Sequence, residues 1–366
     1  MHLGACSREK LAAWAVEQGA SPGAARTFAR VFVGRFAGRD AGSSLDCARD
    51  ERPAKPGPIS RKLLARAEAT FTTALPGFEA VPVIDRTDRT DPTDRSDRTS
   101  ATRYALRLAD AEVVEAVAIP HPARTTVCLS TQVGCARGCV FCETGRLGLR
   151  RQLAVEEITG QLAVVARYLR ARGWPAPTNV VFMGMGEPLD NLDAVLQAIE
   201  VLTDDAGFAI APRRVTVSTV GIVPKMRELY GRSKARLAVS LHATTDEERQ
   251  RLVPHARWSV AELREAIGES PRTVLVQWTL IAGRNDTGRH ADDLARFCEG
   301  LDVRVNLIPL NPGPADRLRA PSWERVRAFQ KRLLDRGVRT LVRMPHGQEI
   351  GGACGQLAGG QRMNGG

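Results

Sequence analysis

Apolar runs rich in β-branched residues alternate with amphipathic segments along most of this chain, and this alternation constrains the fold more than any other feature. The runs lie at 125–131, 179–183, 214–219, 236–241, 273–281, 303–308 and 338–343. Apolar residues recur at helical spacing between most of them, at about 155–172, 192–203, 260–268, 288–300 and 322–336. Strands that alternate with helices usually pair in parallel beneath those helices. The sequence therefore predicts an α/β fold with a parallel sheet wrapped by helices.

The residues before this alternation divide into three parts. Residues 1–80 carry apolar side chains at helical spacing and predict a small helical accessory domain. Residues 81–103 contain a near-perfect Asp/Arg/Thr repeat at 85–99 with almost no apolar side chain to bury, which predicts a disordered linker. Segments 104–108 and 113–119 then predict a β-hairpin that leads into the sheet.

The net charge and the cysteine pattern indicate the kind of partner and the cellular compartment. The 366 residues carry a net charge of +11, which favours a nucleic-acid partner. Only six of the 52 basic residues are lysines, however, so the arginine excess is equally well explained by a GC-rich genome. Four of the eight cysteines lie between 128 and 142, a pattern that is not typical of a secreted disulfide scaffold. No membrane-spanning run or signal-peptide pattern occurs, so we expect a cytoplasmic protein without a membrane partner.

Cys135, Cys139 and Cys142 have the spacing C-x-x-x-C-x-x-C. Three thiolates at this spacing can bind three irons of a [4Fe-4S] cluster and leave the fourth iron open to a substrate. A structural zinc site is the alternative, but it needs a fourth cysteine or histidine close by, and none follows Cys142 in a usual spacing. The motif thus predicts an iron–sulfur centre that takes part in a reaction.

The cysteine spacing resembles that of the radical S-adenosylmethionine (SAM) superfamily. Further motifs match one group within it, the ribosomal RNA adenine C2-methyltransferases and their C8-methylating chloramphenicol–florfenicol resistance relatives. These motifs are Gly184-Met185-Gly186-Glu187-Pro188, Val217-Ser218-Thr219, Ser240-Leu241-His242-Ala243, Asn306-Leu307-Ile308-Pro309 and Ala353-Cys354-Gly355-Gln356-Leu357-Ala358-Gly359. The resemblance covers about residues 104–360. It implies a partial (β/α)6 barrel at 104–345, with its chemistry at the carboxyl ends of the strands, and a C-terminal loop at 346–366.

The resemblance also implies the residues that bind SAM. By position, Gly186 and Glu187 match residues that bind the methionine amine. Further matches, to residues that bind the ribose, carboxylate and adenine, are Ser218, Ser240, Leu241, His242 and Asn311. Taken alone, such polar residues after strands are most often caps or loop formers. We therefore expect them to form a SAM site only together with the cluster cysteines.

Three further residues have implied roles in the reaction itself. Cys354 matches the cysteine that is methylated by one SAM and passes the carbon to RNA. Cys128, seven positions before Cys135, matches the cysteine that releases the product by forming a disulfide with Cys354. Glu115 matches a carboxylate that acts as the general base, although it could also be an outward residue of a hairpin strand.

The implied partners are an RNA substrate, either ribosomal RNA alone or transfer RNA as well, and a flavodoxin-type or other low-potential electron donor. A monomer is expected. Glu143 and the stretch Met344-Pro345-His346-Gly347 depart from the family pattern, which leaves the exact RNA target open. Attack at C2 and at C8 are equally compatible with these motifs. Two other functions stay open: a radical SAM enzyme for a peptide or small metabolite, and a zinc-dependent RNA-binding module without catalysis.

Overall fold

The computed structural model describes residues 8–18, 20, 22, 25–26, 29, 79–81, 101–121, 124–205, 207–311, 318–344, 347–348 and 350–358. The Asp/Arg/Thr repeat at 85–99 and most of the predicted helical domain at 1–80 lie outside these residues. The described fold therefore consists mainly of the chain from residue 101 onwards.

The described residues form twelve strands and nine α-helices. The strands are β1 Glu79–Val81, β2 Thr102–Arg107, β3 Val113–His121, β4 Arg124–Cys128, β5 Gln132–Gly134, β6 Leu149–Gln152, β7 Pro177–Phe182, β8 Val215–Thr219, β9 Arg236–Ser240, β10 Val274–Leu280, β11 Val303–Pro309 and β12 Thr340–Val342. The helices are α1 Arg8–Glu17, α2 Glu143–Arg146, α3 Val155–Ala171, α4 Leu192–Thr203, α5 Val223–Arg232, α6 Asp246–Leu252, α7 Val260–Gly268, α8 Gly288–Cys298 and α9 Trp323–Asp335. Two short 3₁₀ turns, Pro188–Asn191 and Pro212–Arg214, precede α4 and β8.

Ten strands form one open sheet in the order β1-β2-β3-β4-β7-β8-β9-β10-β11-β12. Strands β1 to β4 pair antiparallel, and every pair from β4 to β12 is parallel. Strands β5 and β6 form a separate antiparallel pair. Because each parallel strand from β4 to β10 is followed by helix and then by its sheet neighbour, the predicted parallel β/α fold is confirmed.

The helices cover the sheet through apolar stripes. Helix α4 buries Leu192, Val195 and Ile199, which recur at three- and four-residue spacing and so share one face. Strand β10 is buried on both faces: Val276 and Trp278 on one face are fully inaccessible to solvent, and Gln277 and Thr279 on the other face are also buried. This packing holds the strands in place, so the loops after their carboxyl ends are carried by a rigid base.

The predicted elements are largely confirmed, with the structure adding several. The five predicted helices coincide with α3, α4, α7, α8 and α9 within two residues, and the seven runs coincide with the parallel strands. The hairpin is β2 and β3. Helices α2, α5 and α6 and the β5–β6 pair were not predicted, because they are short or carry few apolar residues. Helix α6 depends instead on its N-cap, where Thr245 Oγ1 accepts from the Glu248 N–H at 3.3 Å.

Two boundaries differ from the predicted ones. Residues 79–81, placed around the end of the helical domain, form strand β1 and pair with β2. Strand β2 begins at Thr102, inside the predicted linker, because Thr102 and Arg103 pair with Ala118 and Val117 in the hairpin. Sheet pairing therefore extends beyond the apolar residues on which the boundaries were based.

Helix α1 is the main described part of the N-terminal region. Leu11 and Ala15 are fully buried and belong to the same hydrophobic cluster as the helices of the sheet. Arg8 forms ion pairs with Asp204 and Asp205 after α4. Helix α1 therefore packs onto the rest of the fold. Within the described residues, none of the helices has the length and apolar character needed to cross a membrane.

Candidate active site

The three motif cysteines lie on one loop between β5 and α2. Cys135 follows β5 directly, and its N–H donates to the carbonyl of Gly148 at 2.9 Å. Gly134 makes this approach possible, because it has φ +74° and a Cβ there would lie 1.8 Å from the same carbonyl oxygen. Cys142 is the N-cap of α2, and its N–H donates to the carbonyl of Cys139 at 3.0 Å. The loop is thus wrapped tightly enough to turn all three thiols into one cavity.

This donor set fits a [4Fe-4S] cluster. Burial raises the pKa of Cys135 to about 12 and that of Cys139 well above its usual value, and the neighbouring thiols raise both further. Three grouped thiols become thiolates only when a cation compensates their charge, which is what cluster irons do. Among the described residues, no three His, Cys, Asp or Glu side chains converge closely enough for a single metal ion. A cluster does not need such convergence, because each thiolate binds a different iron.

The cavity that receives these thiols brings together most of the predicted site. It encloses about 850 Å³ including its open mouth, which is within the range of small-molecule sites. Ten of the thirteen predicted site residues line it: Cys135, Cys139, Cys142, Gly186, Glu187, Ser218, Ser240, His242, Asn311 and Cys354. Gly186, Glu187, Ser218, Ser240, His242 and Asn311 lie at or just after the carboxyl ends of β7, β8, β9 and β11, so these strand ends border the cavity. The three cluster cysteines follow β5, and Cys354 lies on the C-terminal loop. The remaining three, Glu115, Cys128 and Leu241, lie elsewhere.

Glu187 is a buried carboxylate at the wall of this cavity. Its two oxygens accept hydrogen bonds from the N–H groups of Leu189 at 3.0 Å and Val220 at 2.8 Å. Burial raises its pKa to about 7, an effect that these hydrogen bonds partly offset. A carboxylate that is buried and fixed by backbone donors is a suitable acceptor for a ligand's ammonium group.

Gly186 sets the position of Glu187. It has φ +103°, and a Cβ there would lie 2.6 Å from Cβ of Gln132. The close approach lets Oε1 of Gln132 accept the Glu187 N–H at 2.7 Å. The backbone and the side chain of Glu187 are therefore both fixed by hydrogen bonds. Glycine is needed at position 186 because of its positive φ and because a side chain would collide with Gln132.

We expect Gly186→Ala to weaken SAM binding by at least about tenfold. An alanine must either keep the positive φ, which costs about 1–2 kcal/mol, or move away from Gln132 and so displace Glu187. A loss of about 1.4 kcal/mol corresponds to a tenfold lower affinity. Binding to anaerobically reconstituted protein is measured by calorimetry. Gly283→Ala is the matched control, since Gly283 also has a positive φ, +69°, but no described atom lies within 4 Å of its Cβ position. Equal SAM affinity in the two variants would contradict the assigned role.

Ser218 and Ser240 share a hydrogen-bond acceptor, Gln277, that no sequence motif indicated. Both hydroxyls donate to Oε1 of Gln277 at 3.4 Å. Gln277 lies in the middle of β10, directly beside Ser240 in the adjacent strand. Its signal in the sequence is a single amide within an apolar run, which is unusual for a buried strand. Gln277 lines the cavity and orients both hydroxyls toward it.

His242 is held as a neutral imidazole. Burial and the charge of Arg249 lower its pKa to about 3, and Nδ1 accepts the N–H of Thr279 at 3.0 Å. The remaining proton is therefore on Nε2. The ring of Phe141 packs edge-on against the imidazole, with 4.7 Å between ring centroids. Phe141 and His242 thus form an aromatic wall beside the cluster loop, suited to a flat heterocycle.

The structure adds contacts at Leu241 and Asn311 to what was predicted for them. The side chain of Leu241 is fully buried in the main hydrophobic cluster and does not line the cavity, so only its backbone is available to a ligand. Asn311 does line the cavity, but its amide Nδ2 donates to the carbonyl of Cys354 at 3.2 Å and its Oδ1 accepts from Gln348 at 2.7 Å. Asn311 therefore holds the C-terminal loop in addition to any contact with SAM.

A second, smaller cavity adjoins the first and contains Cys128. Cys354 lines both cavities, as do Met183 and Asn311. Burial raises the pKa of Cys128 to about 12, the nearby Cys354 raises it further, and the positive charge of Arg343 partly offsets this. Both cysteines are free thiols in the structure. Cys354 thus connects the cavity of the cluster cysteines with that of Cys128.

The C-terminal loop that carries Cys354 is docked by hydrogen bonds on the first turn of α2, directly after the cluster loop. The N–H of Glu143 donates to the carbonyl of Gly355 at 2.7 Å, and Oγ1 of Thr144 donates to the carbonyl of Leu357 at 2.7 Å. Glu143, noted above as a departure from the family pattern, turns its carboxylate to Arg146 at 3.4 Å. Helix α2, which begins directly after the last cluster cysteine, therefore holds the residues that follow Cys354.

Glu115 lies behind this loop and does not line either cavity. It is 1% exposed. Its Oε1 accepts from Arg103 at 3.1 Å, and its Oε2 accepts from the N–H of Ala358 at 3.0 Å. In this conformation Glu115 anchors the segment after Cys354, and its role as a general base stays a prediction that requires the C-terminal loop to move. No sequence pattern indicates this contact, which joins residues 243 positions apart.

Comparisons with known proteins agree with this arrangement. Residues 129–298 match the model of the radical SAM superfamily. A probable RNA methyltransferase of Sorangium cellulosum is 47% identical over 315 residues, 85% of this chain and 79% of that protein. The dual-specificity RNA methyltransferase RlmN 1 of Myxococcus xanthus is 47% identical over 258 residues, 69% of this chain and 72% of that protein. A crystal structure of a radical SAM methyltransferase from Sphaerobacter thermophilus superimposes with a TM-score of 0.80 at 36% identity, covering 98% of this chain and 99% of that one.

Proposed function

Because this chain belongs to the RlmN-type family of radical SAM RNA methyltransferases, we propose that it transfers a methyl-derived carbon from SAM to C2 or C8 of an adenine in RNA. The observation that carries the proposal is the position of Cys354, which lines both the cavity of the cluster cysteines and the cavity of Cys128. A cysteine at this junction can receive a group in one cavity and release it in the other.

The cofactors are proposed to be a [4Fe-4S] cluster held by Cys135, Cys139 and Cys142, together with SAM. When bound, the two supply a 5′-deoxyadenosyl radical that can remove hydrogen from a methyl group. Glu187 would accept the ammonium of SAM, and the aromatic wall of Phe141 and His242 would border its adenine. Gln277, Ser218 and Ser240 supply hydroxyl and amide groups for the ribose and carboxylate.

Cys354 is proposed as the methyl carrier because the target carbon cannot accept a methyl group directly. Adenine C2 is electron-poor and is not a nucleophile for the sulfonium of SAM. A methyl group on the Cys354 sulfur, once it loses a hydrogen atom, becomes a reactive carbon that can add to the ring. The bonds from Asn311 to the Cys354 carbonyl and from Glu143 to Gly355 keep that sulfur close to the cluster loop.

Cys128 is proposed to release the product. After addition, the adduct would give up an electron, which the cluster could take back, and the proton of the attacked carbon, so that RNA is joined to Cys354 through a thioether. Attack by the Cys128 thiolate on the Cys354 sulfur would then break the bond between that sulfur and the transferred carbon. The freed carbon takes up a proton to become the methyl group, and a disulfide remains that a thiol reductant must reduce before the next turnover. Burial keeps Cys128 protonated at neutral pH, so its thiol stays unreactive until a proton acceptor is available. The positive charge of Arg343 favours the thiolate at that stage.

The partners follow from the same chemistry. RNA is favoured by the net charge of +11 and by the need to unstack the target base, which costs least in a loop or a single strand. A flavodoxin-type or other low-potential donor would supply the electron. Free thiols and an oxygen-sensitive cluster require a reducing compartment, so the cytoplasm is the proposed location.

Anaerobic reconstitution tests the proposal. The wild-type protein should bind close to four irons, cleave SAM when reduced, and produce methyladenosine in an RNA substrate that mass spectrometry detects. Cys139→Ala should do none of these, whereas Cys298→Ala should behave like wild type, because Cys298 is buried at the end of α8 and lines neither cavity. One zinc per chain without iron would instead favour an RNA-binding module. SAM cleavage coupled only to a peptide or metabolite would favour a different radical SAM enzyme.

A further inference from the structure

Arg249 is a buried cation that the reaction as described does not use. It lies on α6 and is 2% exposed. Among the described residues, its Nε finds no hydrogen-bond acceptor and no carboxylate forms an ion pair with it. Asp246 favours its charge through space, but Oδ1 of Asp246 accepts the N–H of Val260 at 2.6 Å. Burial of a guanidinium without a paired carboxylate is costly, so a compensating group is expected nearby.

The guanidinium contacts two strand ends that form the SAM site. Its Nη2 donates to the carbonyl of Val220 and lies 3.5 Å from the carbonyl of Ser240. The N–H of the same Val220 donates to Oε2 of Glu187 at 2.8 Å. Val220 is therefore held on one side by a carboxylate of the cavity and on the other by Arg249.

The charge of Arg249 also acts on the cluster loop. The helix that carries Arg249 is attached to this loop, because the N–H of Val140, between Cys139 and Cys142, donates to the carbonyl of Leu252 at the end of α6 at 3.1 Å. Through space, Cys139 favours the charged form of Arg249, and Arg249 lowers the pKa of Cys139 and His242. Three thiolates around a bound cluster would give the loop a net negative charge. The counter-charge of Arg249 thus arises when the cluster is bound.

We infer that Arg249 is a positioning residue whose buried positive charge is the electrostatic partner of the thiolate-bound cluster. It stabilises the more negative, reduced state of the cluster and holds the loops of Val220 and Ser240 in place for SAM. The inference rests on the proposed function, since it requires the cluster, but not on the identity of the RNA.

Two variants separate charge from hydrogen bonding. Arg249→Gln keeps an N–H donor for the two carbonyls and removes the positive charge. Arg249→Lys keeps the positive charge and loses the planar arrangement of N–H donors of the guanidinium. Arg251→Gln is the matched control, because Arg251 lies on the same helix and is exposed. The readouts are the midpoint potential of the reconstituted cluster by anaerobic titration, and the gain in melting temperature when the cluster is loaded.

Arg249→Gln should shift the midpoint potential to more negative values and reduce the gain in melting temperature on loading. Arg249→Lys should keep most of the wild-type midpoint potential and of the gain in melting temperature, while Arg251→Gln should match wild type in both. A wild-type potential and thermal gain in Arg249→Gln would overturn the inference, as would equal shifts in the Gln and Lys variants, which would point to hydrogen bonding alone.

If Arg249→Gln fails to fold, Arg249→Met is compared with Arg249→Lys in its place. A more negative potential in the Met variant than in the Lys variant would support the inference, and equal potentials would overturn it. Absence of iron from the wild-type protein would refute the proposed function instead, so the two failures can be told apart.

Discussion

Replacing Cys128 with alanine should leave the protein covalently joined to RNA, whereas replacing Cys354 should leave no crosslink at all. Both changes should reduce methylated product by at least about 1000-fold, the scale typical of losing a covalent catalytic group. Cys354→Ala has no sulfur to carry the carbon, so no adduct forms, although uncoupled SAM cleavage continues. Cys128→Ala keeps the carrier and loses only release.

The crosslink is measured as a nuclease-sensitive shift on a denaturing gel, and mass spectrometry identifies the modified residue. Cys298→Ala serves as the control for loss of a buried cysteine outside both cavities and should form product normally. Normal turnover by Cys128→Ala would show that Cys128 has no part in release. An equal crosslink in the Cys354→Ala protein would show that another residue carries the carbon.

Gly355→Ala should separate SAM cleavage from methyl transfer. Gly355 has φ +85°, and a Cβ there would lie 2.9 Å from the carbonyl oxygen of Phe141, so alanine must push the C-terminal loop away from the cluster loop. Moving a reacting group by about 1 Å from its position can lower the reaction rate by about 100-fold. We expect product formation to fall by that factor, while iron content and reductive SAM cleavage stay near wild type because Cys135, Cys139 and Cys142 are unchanged.

Product and 5′-deoxyadenosine are quantified in the same assay, so that their ratio reports coupling. Gly300→Ala controls for the backbone conformation alone, since Gly300 has φ +75° and no described atom lies within 4 Å of its Cβ position. Unchanged coupling in Gly355→Ala would mean that contact between the two loops does not position Cys354.

Features of the fold that depend on residues close together in the sequence could be predicted. The 3.6-residue periodicity predicted α3, α4, α7, α8 and α9, and the apolar runs predicted the parallel strands. The cluster cysteines lie within eight residues of one another, so their convergence required no knowledge of the rest of the fold. Helix α6 was missed because its stability depends on a Thr245 cap and not on an apolar stripe.

Contacts between distant parts of the chain could not be predicted in this way. The hydrogen bond from the N–H of Ala358 to Glu115 was not indicated by any pattern, while the role of Glu115 as a general base stays a prediction. Leu241 was grouped with its polar neighbours, but alternation along the chain turns its side chain into the core. Gln277 and Arg249 were missed because each contacts residues that are distant in the sequence and become neighbours only once the fold is assembled.

The most direct test of Cys354 as methyl carrier uses SAM with a fully deuterated methyl group and mass spectrometry of the methyladenosine formed in RNA. If the methyl group first moves to Cys354 and loses one deuterium before it joins the base, the new methyl group should contain two deuterium atoms from the donor. The lost deuterium should appear in 5′-deoxyadenosine. A product that retains all three deuterium atoms would mean direct transfer from SAM and would contradict the proposed route through Cys354.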